Sequence, residues 1–206
     1  MEPLPSLDWI RSSSNAQPDS PLAVILGSLL EPSTVLIQTL VPQLHDKLQN
    51  YPSSLNTYAQ LIDLAINQVR TWDKDLQAQF ILGHPRIGET KNLSTFSANE
   101  QGAAHPTATP TPPAVLARLA HLNAYYERCY PQLVYIIFVD GRSRAQIVRV
   151  LEDHLGLEPS LSIDNPPLEA ATIVEVGSQK WLNELERAVT DIGLIAKSRL
   201  RSLGAE

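Results

Sequence analysis

On Leu133-Val134-Tyr135-Ile136-Ile137-Phe138-Val139, closed by Asp140-Gly141, turns the choice between an all-α fold and one with a sheet. Its β-branched and aromatic residues give it the strongest strand propensity in the chain. No second run of similar quality accompanies it, and a lone strand leaves its backbone groups without a ladder. The expectation is a buried extended segment, or a helix overriding local propensity, and no sheet.

Helical patterns lie on both sides. Upstream, Pro113 opens a helix from its first turn, running to about Tyr130 with Leu116, Leu119, Asn123 and Tyr126 on one face. Downstream, Ser143 caps a helix through Leu155 with Ile147, Val148 and Leu151 inward. After an irregular stretch with Pro159, Pro166, Pro167 and Gly177, in which 168 to 176 has room for one short element, comes the strongest pattern. There Trp181, Leu185, Val189, Ile192, Ala196, Leu200 and Leu203 keep helical spacing from Ser178 to Leu203.

Toward the N-terminus, Ser54 is placed to cap a helix carrying Tyr58, Leu61, Ile62, Ala65, Val69 and Trp72, and a shorter one runs from Leu76 to a stop at Gly83. Pro32-Ser33-Thr34 starts another with Leu36, Leu40, Leu44 and Leu48 on one stripe. Pro42 sits inside that pattern and must kink or divide it, because proline removes a donor and clashes with the preceding turn. Residues 105 to 113, rich in Pro and Thr, read as an exposed extended loop. Residues 1–20 read as a flexible arm and 21–206 as the helical domain. The expected fold is all-α, a single-domain irregular bundle of about seven to nine helices.

Composition narrows the function. With 206 residues, 43% of them hydrophobic, the chain can bury one sizeable core. The net charge of -6 is scattered, and no Lys/Arg stripe with interleaved aromatics appears, which argues against nucleic-acid binding. No apolar run reaches the ~18 residues of a membrane span. The single cysteine, Cys129, rules out an internal disulfide and fits a reducing compartment. The histidines share no metal-ligand spacing with cysteines or carboxylates, so no metal site is expected. The chain reads as soluble and intracellular; without a Ser-Lys-Leu-type address at Leu203-Gly204-Ala205-Glu206 the expected compartment is the cytoplasm, with the peroxisome an open alternative.

Two polar clusters carry the chemistry. In Gly83-His84-Pro85-Arg86-Ile87-Gly88 the histidine precedes a proline, which drives it out of the helical region. Its imidazole then projects from a helix-ending turn, suited to acid or base work near neutral pH. In Ser97-Ala98-Asn99-Glu100-Gln101, Ser97 and Glu100 form a capping box, which is a structural duty. Gln101 has no such duty, and the free amides of a helix start beside it suit a carboxylate or urea-like ligand. Glu100 is also a candidate to orient His84. Asn123 and Tyr126, polar among apolar neighbours, need partners whether they serve core or site.

Taken in order, His84-Pro85-Arg86-Ile87-Gly88, Ser97-x-x-Glu100-Gln101, Leu122-Asn123-x-x-Tyr126, Val139-Asp140-Gly141-Arg142 and Ile195-Ala196-x-x-Arg199-Leu200 resemble the OHCU (2-oxo-4-hydroxy-4-carboxy-5-ureidoimidazoline) decarboxylase family. The likeness spans about residues 29 to 203 and is greatest to the fungal branch. The resemblance implies a cofactor-free carboxy-lyase, usually a homodimer, that converts its small-molecule substrate to (S)-allantoin in urate breakdown. It implies a proton-transfer role for His84, aided by Glu100, and substrate contacts from Pro85, Ser97, Gln101, Tyr135 and Ile136. Many members carry a Phe-Gly-Phe-Pro-Phe-type segment where this chain has Tyr130-Pro131-Gln132-Leu133-Val134, and an Arg-Leu pair where it has His154-Leu155. Carboxylate recognition then passes to Arg142 or Arg144. The same departures motivate an alternative, a catalytically inert helical binding or scaffold protein of this fold.

Overall fold

The computed structural model describes residues 4–13, 16–50, 55–89, 111–160 and 162–205. Among these the fold is all-α: α1 Leu7–Ser12, α2 Pro21–Leu30, a π-helical turn Leu36–Leu40 running into α3 Val41–Gln49, α4 Tyr58–Arg70, α5 Lys74–Leu82, α6 Pro113–Cys129, α7 Arg144–Leu155, a 3-10 turn Leu168–Ala170, and α8 Gln179–Ser202. Ser54, Ser97, Glu100, Gln101 and most of the proline tract lie outside the described residues. The chain forms two compact units, one of Met1–His84 with Val189–Glu206, the other of Pro85–Ala188.

In the first unit local chemistry sets each boundary. Ser20 caps α2 through its hydroxyl, which accepts from Ala23 N–H. Ser33 does the same for Leu36. At Pro42 the chain divides its helix: Val41 N–H reaches back five residues to Leu36 O, a π turn, and an ordinary α-helix follows with proline in its first turn, where its missing donor costs nothing. The cap of α4 is Thr57, with Gln60 completing the capping box, rather than the expected Ser54. Residues 4–13 hold a short helix whose Ile10 is buried, and the Tyr58 hydroxyl donates to Pro5 O at 2.6 Å.

α4 and the second half of α8 run antiparallel in this unit. Arg70 donates to Thr190 Oγ1 at 2.9 Å, Gly193 lies on Ile66, and Lys197 pairs with Asp63 at 2.6 Å. A Cβ at Gly193 would stand 3.2 Å from Ile66 Cγ1, so the small residue permits the approach. The core between the helices is Leu26, Leu29, Leu40, Leu44, Leu61, Ile62, Phe80 and Ile192.

In the second unit α6 and α7 are joined by a buried ion pair, with Arg118 Nη2 2.8 Å from Glu152 Oε1. A capping box at Ser143 and Gln146 starts α7, as expected, and Gly156 ends it in the left-handed conformation. The segment 133–139 is neither helix nor strand, has no strand partner among the described residues, and is buried from Leu133 to Ile136. Side chains take the place of a neighbouring strand. Trp181 Nε1 donates to Pro131 O at 2.9 Å, Arg187 Nη1 to Ile136 O at 2.7 Å, and Arg142 to Val139 O at 2.9 Å and Phe138 O at 2.5 Å. The backbone acceptors that a sheet would have satisfied are met by indole and guanidinium donors.

Candidate functional site

His84 is placed by the end of α5. Asp73 caps the start of that helix, and at its end Gly83 N–H returns to Phe80 O and His84 N–H to Ile81 O. A Cβ on Gly83 would lie 2.7 Å from Ser33 Cβ and 3.2 Å from Phe80 O, so only glycine lets this turn sit against the bend that follows α2. The imidazole is 8% exposed and meets Phe80 edge-on at 5.3 Å. Phe80 in turn meets Trp72 edge-on at 6.1 Å.

Its tautomer follows from its partner. His84 Nδ1 lies 3.2 Å from Phe80 O, and a carbonyl can only accept, so Nδ1 carries the proton. Nε2 is left with its lone pair. That atom is buried and has no hydrogen-bond partner among the described residues. Burial, seconded by the charge of Arg199 and opposed by that of Glu31, lowers the imidazole from 6.5 to about 4. His84 is therefore a neutral ring at pH 7 that presents an acceptor.

Arg199 and Glu31 form a buried pair at 2.7 Å, their side chains 3% and 6% exposed. Arg199 also donates to Leu29 O at 3.1 Å and Ser28 O at 3.4 Å, the carbonyls at the end of α2. Glu31 holds a φ of 64°, a left-handed conformation that a non-glycine residue adopts at a cost of about 1–3 kcal/mol. The ion pair and the carbonyl contacts hold it there. The sequence offered Arg199 only within the terminal Ile195-Ala196-x-x-Arg199-Leu200 motif, and gave Glu31 no role. The available signal was an arginine on the inward face of the strongest amphipathic helix, which needs a buried partner.

After Pro85, which is half-buried, the chain is laid along α6. Leu119 packs on Gly88, Asn123 Nδ2 donates to Ile87 O at 2.9 Å, and Glu127 accepts from Arg86, with Arg86 Nη2 3.1 Å from Glu127 Oε2. Residues spaced by four on the helix thus hold consecutive residues of the loop, in opposite order. Gly88 has φ 90°, and a Cβ there would meet Leu119 at 3.0 Å, so the motif glycine is required twice over.

Tyr135 and Ile136 are 2% and 3% exposed, on the segment that Arg187 holds. Arg187 stacks over the Tyr135 ring at 5.1 Å and shares Glu184 with the Tyr126 hydroxyl, which donates at 2.6 Å. His154 Nε2 stands 3.2 Å from the other Glu184 oxygen without good hydrogen-bond alignment. Burial alone would raise the Glu184 carboxyl; contacts with His154 and Arg187 outweigh it and bring the group to about 2. Burial and the Glu184 charge push the Tyr126 phenol far up. Arg142 is committed to the Val139 and Phe138 carbonyls, and Arg144, buried at the start of α7, lies 3.3 Å from Thr111 Oγ1. Ser97, Glu100 and Gln101 fall outside the described residues.

Among the described residues no group of three or more His, Cys, Asp or Glu could hold a metal ion, and no helix is long and apolar enough to cross a membrane. No curated protein matches the chain, and no solved structure does. The OHCU decarboxylase family model matches residues 15–175, most of the chain, and the protein accordingly belongs to that family of carboxy-lyases of purine catabolism.

Proposed function

We propose that this chain decarboxylates 2-oxo-4-hydroxy-4-carboxy-5-ureidoimidazoline to (S)-allantoin, with His84 moving the proton. The observation that carries this reading is the His84 Nε2 atom, a buried acceptor without a partner on a neutral imidazole fixed by Phe80 O. Such a ring takes a proton from a bound donor and returns it elsewhere on the same ligand. The substrate carries both ends of that transfer. Breaking the bond to the carboxylate releases CO2 and moves its electron pair into the adjoining ring C=N, whose nitrogen takes up one proton from solvent. The hydroxyl on the same carbon gives up its proton to become a carbonyl, and a proton delivered to the carbon bearing the ureido arm completes allantoin. Delivery from one face sets the configuration. The ring is the electron sink, so no cofactor is invoked.

By resemblance, Glu100 assists His84, and Pro85, Ser97, Gln101, Tyr135 and Ile136 contact substrate; because His154-Leu155 stands where the family has an Arg-Leu pair, carboxylate recognition falls to Arg142. The working assembly is a homodimer in the cytoplasm, checked by light scattering on the purified protein and by imaging of a tagged chain. The decisive experiment generates the substrate from urate with a uricase and follows its decay together with the optical activity of the product. Acceleration with a chiral product is expected from the wild type, and loss of both in His84→Asn with an unchanged far-UV spectrum. Decay no faster than the spontaneous rate would refute the decarboxylase reading in favour of an inert scaffold, and full activity in His84→Asn would remove His84 from the mechanism.

A further inference from the structure

Asn123 is a buried polar residue that the proposed reaction leaves unused. It is 4% exposed on α6. Its amide orientation follows from its partner, because Nδ2 donates to Ile87 O at 2.9 Å and a carbonyl can face only the NH2 end. Oδ1 is therefore directed elsewhere. Among the described residues it is buried and meets no donor. A buried carboxamide oxygen left unpaired forfeits its hydration with no return. Holding Ile87 requires Nδ2 alone, so loop anchoring does not explain why an acceptor is kept at this position.

The acceptor is also rigidly placed. Leu119 against Gly88 and Glu127 against Arg86 pin the loop on either side of the Ile87 contact. The amide is thereby fixed before any ligand arrives, which lowers the ordering cost of binding.

We propose that Asn123 is a substrate-binding residue whose Oδ1 accepts a hydrogen bond from an N–H of the ureido arm. This rests on the decarboxylase reading above. The choice of arm follows from the ligand's chemistry: its carboxylate and ring carbonyl only accept, and the ureido group carries most of its N–H donors. The product keeps that arm intact, which makes allantoin a usable probe.

The test is calorimetric titration of the full chain with allantoin and with hydantoin, the related ring without a ureido arm. It compares the wild type with Asn123→Ala, Asn123→Ser and Gly88→Ala. The last disturbs the loop without touching the amide, since its Cβ would press on Leu119 at 3.0 Å from a backbone at φ 90°. Both Asn123 variants also lose the donor to Ile87 O, a loss that falls on the two ligands alike, as in Gly88→Ala; loss of the ureido contact adds about tenfold for allantoin alone. Gly88→Ala weakens both ligands alike. Equal losses of the two ligands in the Asn123 variants, or unchanged allantoin affinity, would overturn the proposal. If the alanine variant does not fold, the serine variant carries the comparison. Where the wild type is active yet binds neither probe, KM for the substrate decides: about tenfold higher in Asn123→Ser with kcat little changed supports the contact, and an unchanged KM refutes it. A wild type that fails to accelerate decarboxylation sinks the decarboxylase reading itself, an outcome distinct from these.

Discussion

Acid destabilises this protein in part through one imidazole. His84 has a folded value of about 4 against 6.5 for the free side chain, because burial and then the Arg199 charge oppose its protonation. As pH falls through 6.5 the unfolded chain takes up a proton that the folded chain refuses until about pH 4, so the unfolded state is favoured. The contribution of His84 is thus complete above its unfolded value and is lost on the way down to its folded value. The displacement is worth about 3 kcal/mol in full, of which about 2 kcal/mol disappears between pH 7.5 and pH 5. The assay is urea unfolding at those two pH values for the wild type and for His84→Gln, which cannot titrate. Carboxylates remote from His84, such as Glu184, are the same in both proteins and cancel in the comparison. The wild type should lose about 2 kcal/mol more than the variant. Equal losses would refute the reasoning, as would a His84 Cε1 proton that titrates near the free-histidine value by NMR.

Other consequences follow from individual contacts. Gly83→Ala forces a methyl to 2.7 Å from Ser33 Cβ and should destabilise by about 1–3 kcal/mol, read as a lowered urea midpoint with unchanged slope. Arg199→Met strands the Glu31 carboxylate in the core and should cost about 3–5 kcal/mol, with the double variant Glu31→Gln, Arg199→Met recovering part of the loss in a double-mutant cycle. Arg187→Met removes the donor to Ile136 O and a partner of Glu184; a loss of about 2–4 kcal/mol and a changed near-ultraviolet tyrosine signal are expected, and a stability equal to wild type would contradict the clamp described for the 131–136 segment.

Much of the architecture was legible because it is local. Spacing of apolar residues located the helices, Pro113 and Ser143 marked two starts, and Gly83 marked a stop. Pro42 announced a break, although its form, a π turn at Leu36–Leu40, depends on how the two pieces pack. Ser54 was a reasonable cap by residue type, but Thr57 has the glutamine at the position that completes the box. The absence of a partner for 133–139 argued against a sheet, yet nothing local indicated that Trp181 and Arg187, about fifty residues on, would supply its donors.

The candidate site divides the same way. His84 was found from its own neighbours, since the glycine before it and the proline after it dictate a turn whatever the rest of the chain does. Its protonation state was not, because that is set by Phe80 O, by burial, and by Arg199 and Glu31 from elements far along the chain. Asn123 was visible as a polar residue on an apolar face, but its donor's partner and its acceptor's lack of one exist only once α6 meets the 86–88 loop. Most of the helices, the Ser143 cap and the residue types available for proton transfer could be read from the sequence, because those depend on short-range sterics and hydrogen bonds. Which histidine nitrogen carries the proton, which carboxylate meets which guanidinium, and which buried acceptors lack a donor among the described residues came only from tertiary structure, because solvation and charge act through space rather than along the chain.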